Sequence, residues 1–160
     1  MKKIAILLII FVSFSMLVFA DRYRSLSGES MGYYEMISNP KTVLFIWTSW
    51  CPSCISKMNE LNKNHDIPDD VKVYFVNIGD SASTVKGAVT RLQLNEKMKA
   101  NILMDPDYQL ADRFNIAGVP MVLFFKDKRA IEASYDLSKD QVKRIYQKLA
   151  IEETNDARDK

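Results

Sequence analysis

Two kinds of hydrophobic patterning divide the chain. Ile4 to Ala20 is a run of 17 residues without charge, broken only by Ser13 and Ser15 and preceded by Met1-Lys2-Lys3. From Asp21 onward, short apolar runs alternate with segments whose apolar positions recur every three or four residues. Thr42–Thr48 is nearly all apolar and rich in β-formers, as a strand buried on both faces requires. Pro52 then stands where a helix starts, a position that tolerates its missing N–H. That helix carries Ile55, Met58 and Leu61 and fades near Asp66-Ile67-Pro68. Val71–Ile78 reads as a second strand. Ser81–Gln93 reads as a weaker helix, with Val85, Ala88, Val89 and Leu92 on one face and Gly87 inside it. Ile102–Met104 is a short strand ended by Asp105-Pro106, a cap-and-start pair for a helix bearing Leu110, Ala111 and Phe114.

Met121–Phe125 is a further buried strand, and Lys126–Arg129 turns the chain into Ala130–Tyr135. The last helix opens on Ser138 with Gln141 three residues later, a capping box, and buries Val142, Ile145, Tyr146 and Leu149. Asp21–Pro40 is a mixed lead-in with a short helix around Tyr33, Tyr34, Met36 and Ile37. Alternating strands and helices predict one α/β domain over residues 21–150 with a mainly parallel sheet, followed by a charged tail at 151–160.

The first 20 residues have a charged start, an apolar run and Val18-Phe19-Ala20 as a cleavage site before Asp21, the pattern of a secretory signal. Seventeen apolar residues also reach the lower limit for spanning a bilayer, so an uncleaved membrane anchor through residues 4–20 is the alternative. Both place the rest of the chain outside the cytoplasm, in the periplasm or on the outer face of the membrane.

Composition narrows the function. The 160 residues hold 22 Lys+Arg and 20 Asp+Glu, and Lys2 and Lys3 account for the excess, so residues 21–160 are neutral. That balance makes no electrostatic case for nucleic acid. Two cysteines and one histidine are too few for a structural zinc centre, and His65 lies about 16 Å from Cys54 if their helix continues.

The two cysteines sit three apart as Cys51-Pro52-Ser53-Cys54, where a strand passes into a helix. Free N–H groups and the helix dipole there stabilise an anion, so Cys51 ionises more readily than a free thiol. Cys54 is one turn further on the same face, close enough for a disulfide. Such a pair can cycle: Cys51 attacks a partner disulfide and Cys54 resolves the mixed disulfide. A structural disulfide is the plainer alternative, although a three-residue span removes little chain entropy.

Trp47-Thr48-Ser49-Trp50-Cys51-Pro52-Ser53-Cys54 resembles the active-site segment of the thioredoxin superfamily, and Gly118-Val119-Pro120 resembles its cis-proline loop. Asp105-Pro106-Asp107, Leu110-Ala111, Phe114 and Ile116 are similar to the TlpA/ResA-like branch, and Ser81–Met104 fits the helix-and-strand insert of that branch. The resemblance, over about residues 40–150, implies a thioredoxin-like fold with a central mixed sheet flanked by helices. It implies a thiol-disulfide oxidoreductase with Cys51 and Cys54 as catalytic residues and Trp50, Pro52, Ser53, Val119 and Pro120 as substrate-binding or supporting residues. No metal or organic cofactor is expected. The implied partners are protein disulfides, such as apocytochrome c during haem attachment, with a membrane thiol reductase as electron donor.

Three positions depart from the family pattern. Phe45 stands where thioredoxins bury an acid, Lys57 where many TlpA/ResA-like proteins have Glu, and the Lys126–Arg129 turn lacks Gly. Glu60 is turned away from Cys54, so water or a backbone group is left to take the Cys54 proton. Lys57 is a candidate for lowering a thiol pKa if it folds towards the pair. Two other chemistries fit parts of the pattern. One is Cu(I) binding through Cys51, Cys54 and a soft third ligand such as Met121. The other is a peroxiredoxin-type peroxidase with Thr48, which lacks the expected proline at Leu44.

Overall fold

The computed structural model describes residues 21–64, 68–136, 138 and 140–147. The expected signal or anchor at residues 1–20, His65 and the tail at 151–160 lie outside the described residues.

The chain opens with strands β1 (Arg22–Ser25) and β2 (Ser30–Gly32) and a single-turn helix α1 (Tyr33–Met36). Strand β3 (Lys41–Trp47), helix α2 (Pro52–Asn64) and strand β4 (Lys72–Ile78) follow. Next come α3 (Ala82–Leu92), α4 (Glu96–Lys99), β5 (Ile102–Asp105) and α5 (Gln109–Arg113). The chain continues through β6 (Met121–Lys126) and β7 (Arg129–Ser134) to a helix over 140–147, α6.

All seven strands form one sheet in the order β2-β1-β5-β4-β3-β6-β7. The sheet is mixed, but it is not mainly parallel as expected. Only β3–β4 and β4–β5 pair in parallel, whereas β1–β2, β1–β5, β3–β6 and β6–β7 are antiparallel. The expectation missed the β1–β2 hairpin, whose strands are short and carry one apolar residue each, Tyr23 and Met31, too few to establish an alternation. These two strands extend the sheet beyond β5 and carry Tyr23 into the core.

Alternation along the central strands sends side chains to two separate cores. Val43, Phe45, Trp47, Val73, Phe75, Val122 and Phe124 pack beneath α2, α3 and α6. Leu44, Ile46, Tyr74, Val76, Leu123 and Phe125 pack on the other face against Met36, Ile37, Leu110 and Ala111. Phe45, at the position of the thioredoxin acid, is fully buried and meets Phe75 edge to face at 5.9 Å.

Local chemistry explains where the observed elements differ from the expected ones. Asp105 does not start a helix at Pro106. Its carboxylate accepts from the N–H groups of Gln109 and Leu110, at 2.9 and 2.8 Å, and so caps α5 from inside the sheet. The box at Ser138 is half formed: Gln141 N–H donates to the Ser138 hydroxyl. The Gln141 side chain reaches Ser134 instead, and Asp136 accepts from Ser138 N–H. Tyr146 fastens α6 to the sheet, donating its hydroxyl to the carbonyls of Thr42 and Phe125, register partners on β3 and β6.

Candidate active site

The three parallel strands end on the same side of the sheet, where Trp47 stands beside Asn77 and Ile78 beside Asp105. Carboxyl ends of parallel strands are where α/β folds place their sites, because the connecting loops converge there. The loop after β3 brings Cys51 to the start of α2, with its N–H donating to Thr48 carbonyl at 3.3 Å.

Cys51 and Cys54 form a disulfide with their Cα atoms 5.3 Å apart. Cys51 is 4% exposed, and Cys54 is wholly buried in the core beneath α2. The Cys51 Sγ accepts the Cys54 N–H at 3.2 Å and lies 3.4 Å from the Ser53 hydroxyl. Once the bond is reduced, the same donors face a thiolate at the positive end of a 13-residue helix. Of the two cysteines only Cys51 retains any exposure, so attack from outside falls on Cys51.

Lys57 does not turn to the pair. Its ammonium is held by the Glu60 carboxylate at 2.6 Å on the outer face of α2. Met121 does not join the sulfurs either, since it packs with the core on the opposite face of the sheet from Cys51 and Cys54. The copper reading thereby loses Met121 as its third ligand. Among the described residues, no group of three or more His, Cys, Asp or Glu side chains is placed to hold a metal ion.

The Val119–Pro120 peptide bond is cis. Pairing of β6 with β3 begins at Met121 opposite Ile46, so the backbone of Val119 lies outside the ladder. Val119 and the exposed Trp50 line one cleft of about 230 Å³, together with Thr48, Gly79, Asp80 and Tyr108. Pro52 and Ser53 are exposed on the first turn of α2.

Two contributors at this edge escaped the sequence reading. Asp80 accepts from Ser49 N–H at 2.7 Å and from the Asn77 amide at 2.9 Å through the same oxygen, tying the Cys51 loop to the end of β4. Tyr108 adopts a left-handed backbone and leans on the loop that carries Asp80. The readable signal was positional: both lie within three residues of the end of a parallel strand.

A two-cysteine turn at a helix start, beside a cis-proline loop at the carboxyl edge of a mixed sheet, defines a thioredoxin-like protein. The chain belongs to the AhpC/TSA family, which it matches over residues 22–144. It is 29% identical over 111 residues to sporulation thiol-disulfide oxidoreductase A of Bacillus subtilis, covering 68% of this chain and 66% of that one. The chain thus spans just under two thirds of that relative's length. Its fold is similar to that of DsbF from Mycobacterium tuberculosis, with a TM-score of 0.65 and 18% identity over 81% of this chain and 95% of that one. A secreted M. tuberculosis disulfide oxidoreductase homologous to E. coli DsbE is similar as well, with a TM-score of 0.62 and 20% identity over 77% and 91%.

Proposed function

We propose that the protein is an exported thiol-disulfide oxidoreductase acting on protein disulfides, mainly as a reductant. The observation that carries this reading is the asymmetric pair: Cys51 at the rim with the Cys54 N–H on its sulfur, and Cys54 sealed behind it. In the reduced protein the Cys51 thiolate attacks one sulfur of a substrate disulfide. The other substrate sulfur leaves as a thiolate and takes up a proton. Cys54 then loses its proton and attacks Cys51 Sγ, which closes the 51–54 disulfide and releases the second substrate thiol. Two electrons pass to the substrate, so a dithiol donor must reduce the pair again. A membrane thiol reductase would supply them, and a cytochrome c apoprotein with its paired cysteines is a fitting substrate.

Phe45 stands in place of an acid beside the pair and Glu60 is engaged by Lys57 on the outer face of α2, so water or a backbone group would accept the Cys54 proton. The backbone of Val119, free of the ladder, would pair with an extended stretch of substrate beside the reacting bond. Export is supported by the signal-like segment at residues 1–20 and by the secreted relative. No helix among the described residues is long and apolar enough to cross a membrane, and a tether would run through residues 4–20.

The test is a trap. Cys54→Ala should accumulate mixed disulfides through Cys51 with partner proteins. Capture of none, together with a wild-type pair that dithiothreitol does not reduce, would reassign the disulfide to a structural role. The midpoint potential decides direction: a value near about −270 mV supports a reductant, and one near about −120 mV an oxidant.

A further inference from the structure

We propose that Tyr108 sets the substrate preference of this exchange, forming with Trp50 a cleft that takes one apolar or aromatic side chain two positions from the substrate's cysteine. The inference rests on the oxidoreductase reading and names what that site selects.

Tyr108 has φ +57°, a conformation that side-chain-bearing residues rarely adopt and that glycine fills without strain. The ring that results is half exposed and belongs to neither core, so the strain is not compensated by interior packing. It lies instead on Gly79, where a Cβ would come within 2.0 Å of the Tyr108 hydroxyl. Gly79 is itself left-handed, at φ +75°, and its N–H donates to the carbonyl of Asp105. Two irregular backbone positions thus hold one aromatic ring at the carboxyl edge of the sheet.

The ring faces the same cleft as Trp50, which is 71% exposed and directly precedes Cys51. Ile78, Ala111, Ile116 and Val119 make the rest of that lining mainly apolar. At about 230 Å³ the cleft is smaller than the 300 Å³ or more of ordinary small-molecule pockets, a size for one side chain. It is continuous with Val119, where an extended peptide would cross, and such a peptide presents alternate side chains to one face. The occupant is therefore the residue two positions from the reactive cysteine, on the same face of an extended segment of the substrate protein.

The experiment uses two disulfide-linked peptides that are identical except for Phe or Gly two positions from the reactive cysteine. Second-order rate constants for their reduction are measured with the reduced full chain, with Tyr108→Gly and with Tyr108→Phe. In the wild type the Phe peptide should react about tenfold faster, the lower range for one group filling an apolar pocket. Tyr108→Phe should keep that ratio and Tyr108→Gly should bring it close to one. Tyr108→Gly fits the left-handed site, so thermal unfolding of the variant should stay cooperative. A purely structural Tyr108 would move the unfolding midpoint and leave the ratio alone. An unchanged ratio in Tyr108→Gly, or equal rates for the two wild-type peptides, overturns the proposal. If the wild type exchanges with neither peptide nor dithiothreitol, the oxidoreductase reading itself fails, and this inference with it.

Discussion

Replacing Asp80 with alanine should loosen the loop that delivers Cys51, at a cost the structure allows to be worked out. One carboxylate oxygen accepts two hydrogen bonds, from Ser49 N–H at 2.7 Å and from the Asn77 amide at 2.9 Å. Bonds to an ionised acceptor contribute about 1.5–3 kcal/mol each when well formed, and the partly exposed setting here favours the lower figure. Asn77 is buried, and its own Oδ1 already lacks a partner among the described residues, so losing Asp80 strips its amide of the bond that remains. Together these give a destabilisation of about 3 kcal/mol. At a slope of about 2 kcal/mol per M, the urea midpoint falls by about 1.5 M. Asp80→Asn keeps one oxygen on Ser49 and loses only the charge assistance, about 1 kcal/mol. Because the loop ends at Cys51, exchange with dithiothreitol should slow in the same order, alanine more than asparagine. An Asp80→Ala unfolding free energy within about 0.5 kcal/mol of the wild type would refute the idea that this carboxylate holds the loop.

The β6–β7 turn places Asp127 at φ +48° and Lys128 at φ +67°, the two left-handed positions of a type I′ turn. Lys128→Gly should therefore stabilise by about 0.5–1 kcal/mol and raise the melting temperature by about 2–4 °C, and a lower value contradicts the strain assigned to that turn. Tyr146→Phe removes the hydroxyl that bridges two carbonyls and should cost about 1 kcal/mol in urea unfolding. Burial, with Asp105 nearby in the first case, pushes the hydroxyls of Tyr23 and Tyr146 well above the ordinary tyrosine range. The unfolded chain releases those protons near pH 10 while the native one still holds them, so stability falls as pH rises above that point. The fall is up to about 1.4 kcal/mol per pH unit for each tyrosine. Urea midpoints from pH 9 to 11 should show this decline, shallower in Tyr146→Phe, and a flat profile would count against both assignments.

The central strands and the dithiol turn were readable because each rests on a strong local rule. β3 and β4 are apolar on both faces, as strands between two helical layers must be. Cys51 and Cys54 announce themselves by spacing at a strand-to-helix junction. The β1–β2 hairpin was not readable, since Arg22, Arg24 and Ser30 alternate with only Tyr23 and Met31, and its place in the sheet comes from pairing with the distant Leu103 and Met104. Asp105 misled for a related reason. Asp-Pro before an apolar run has the form of a helix cap, yet the carboxylate turns inward and caps a helix four residues later. Asp80 and Tyr108 stayed hidden because each owes its role to contacts across strands that sequence spacing does not reveal.

The Cys51 loop and the cis-proline loop are 69 residues apart in sequence, yet six consecutive register pairs between β3 and β6 join the strands that carry them. Their separation is therefore set by main-chain hydrogen bonds, which every side-chain exchange on those strands leaves in place. Core substitutions can alter stability widely while the span across which a substrate would be held stays constant. Diversification of what this scaffold recognises is thereby confined to the loop residues around the cleft, where one replacement changes the shape offered to a partner without disturbing the frame.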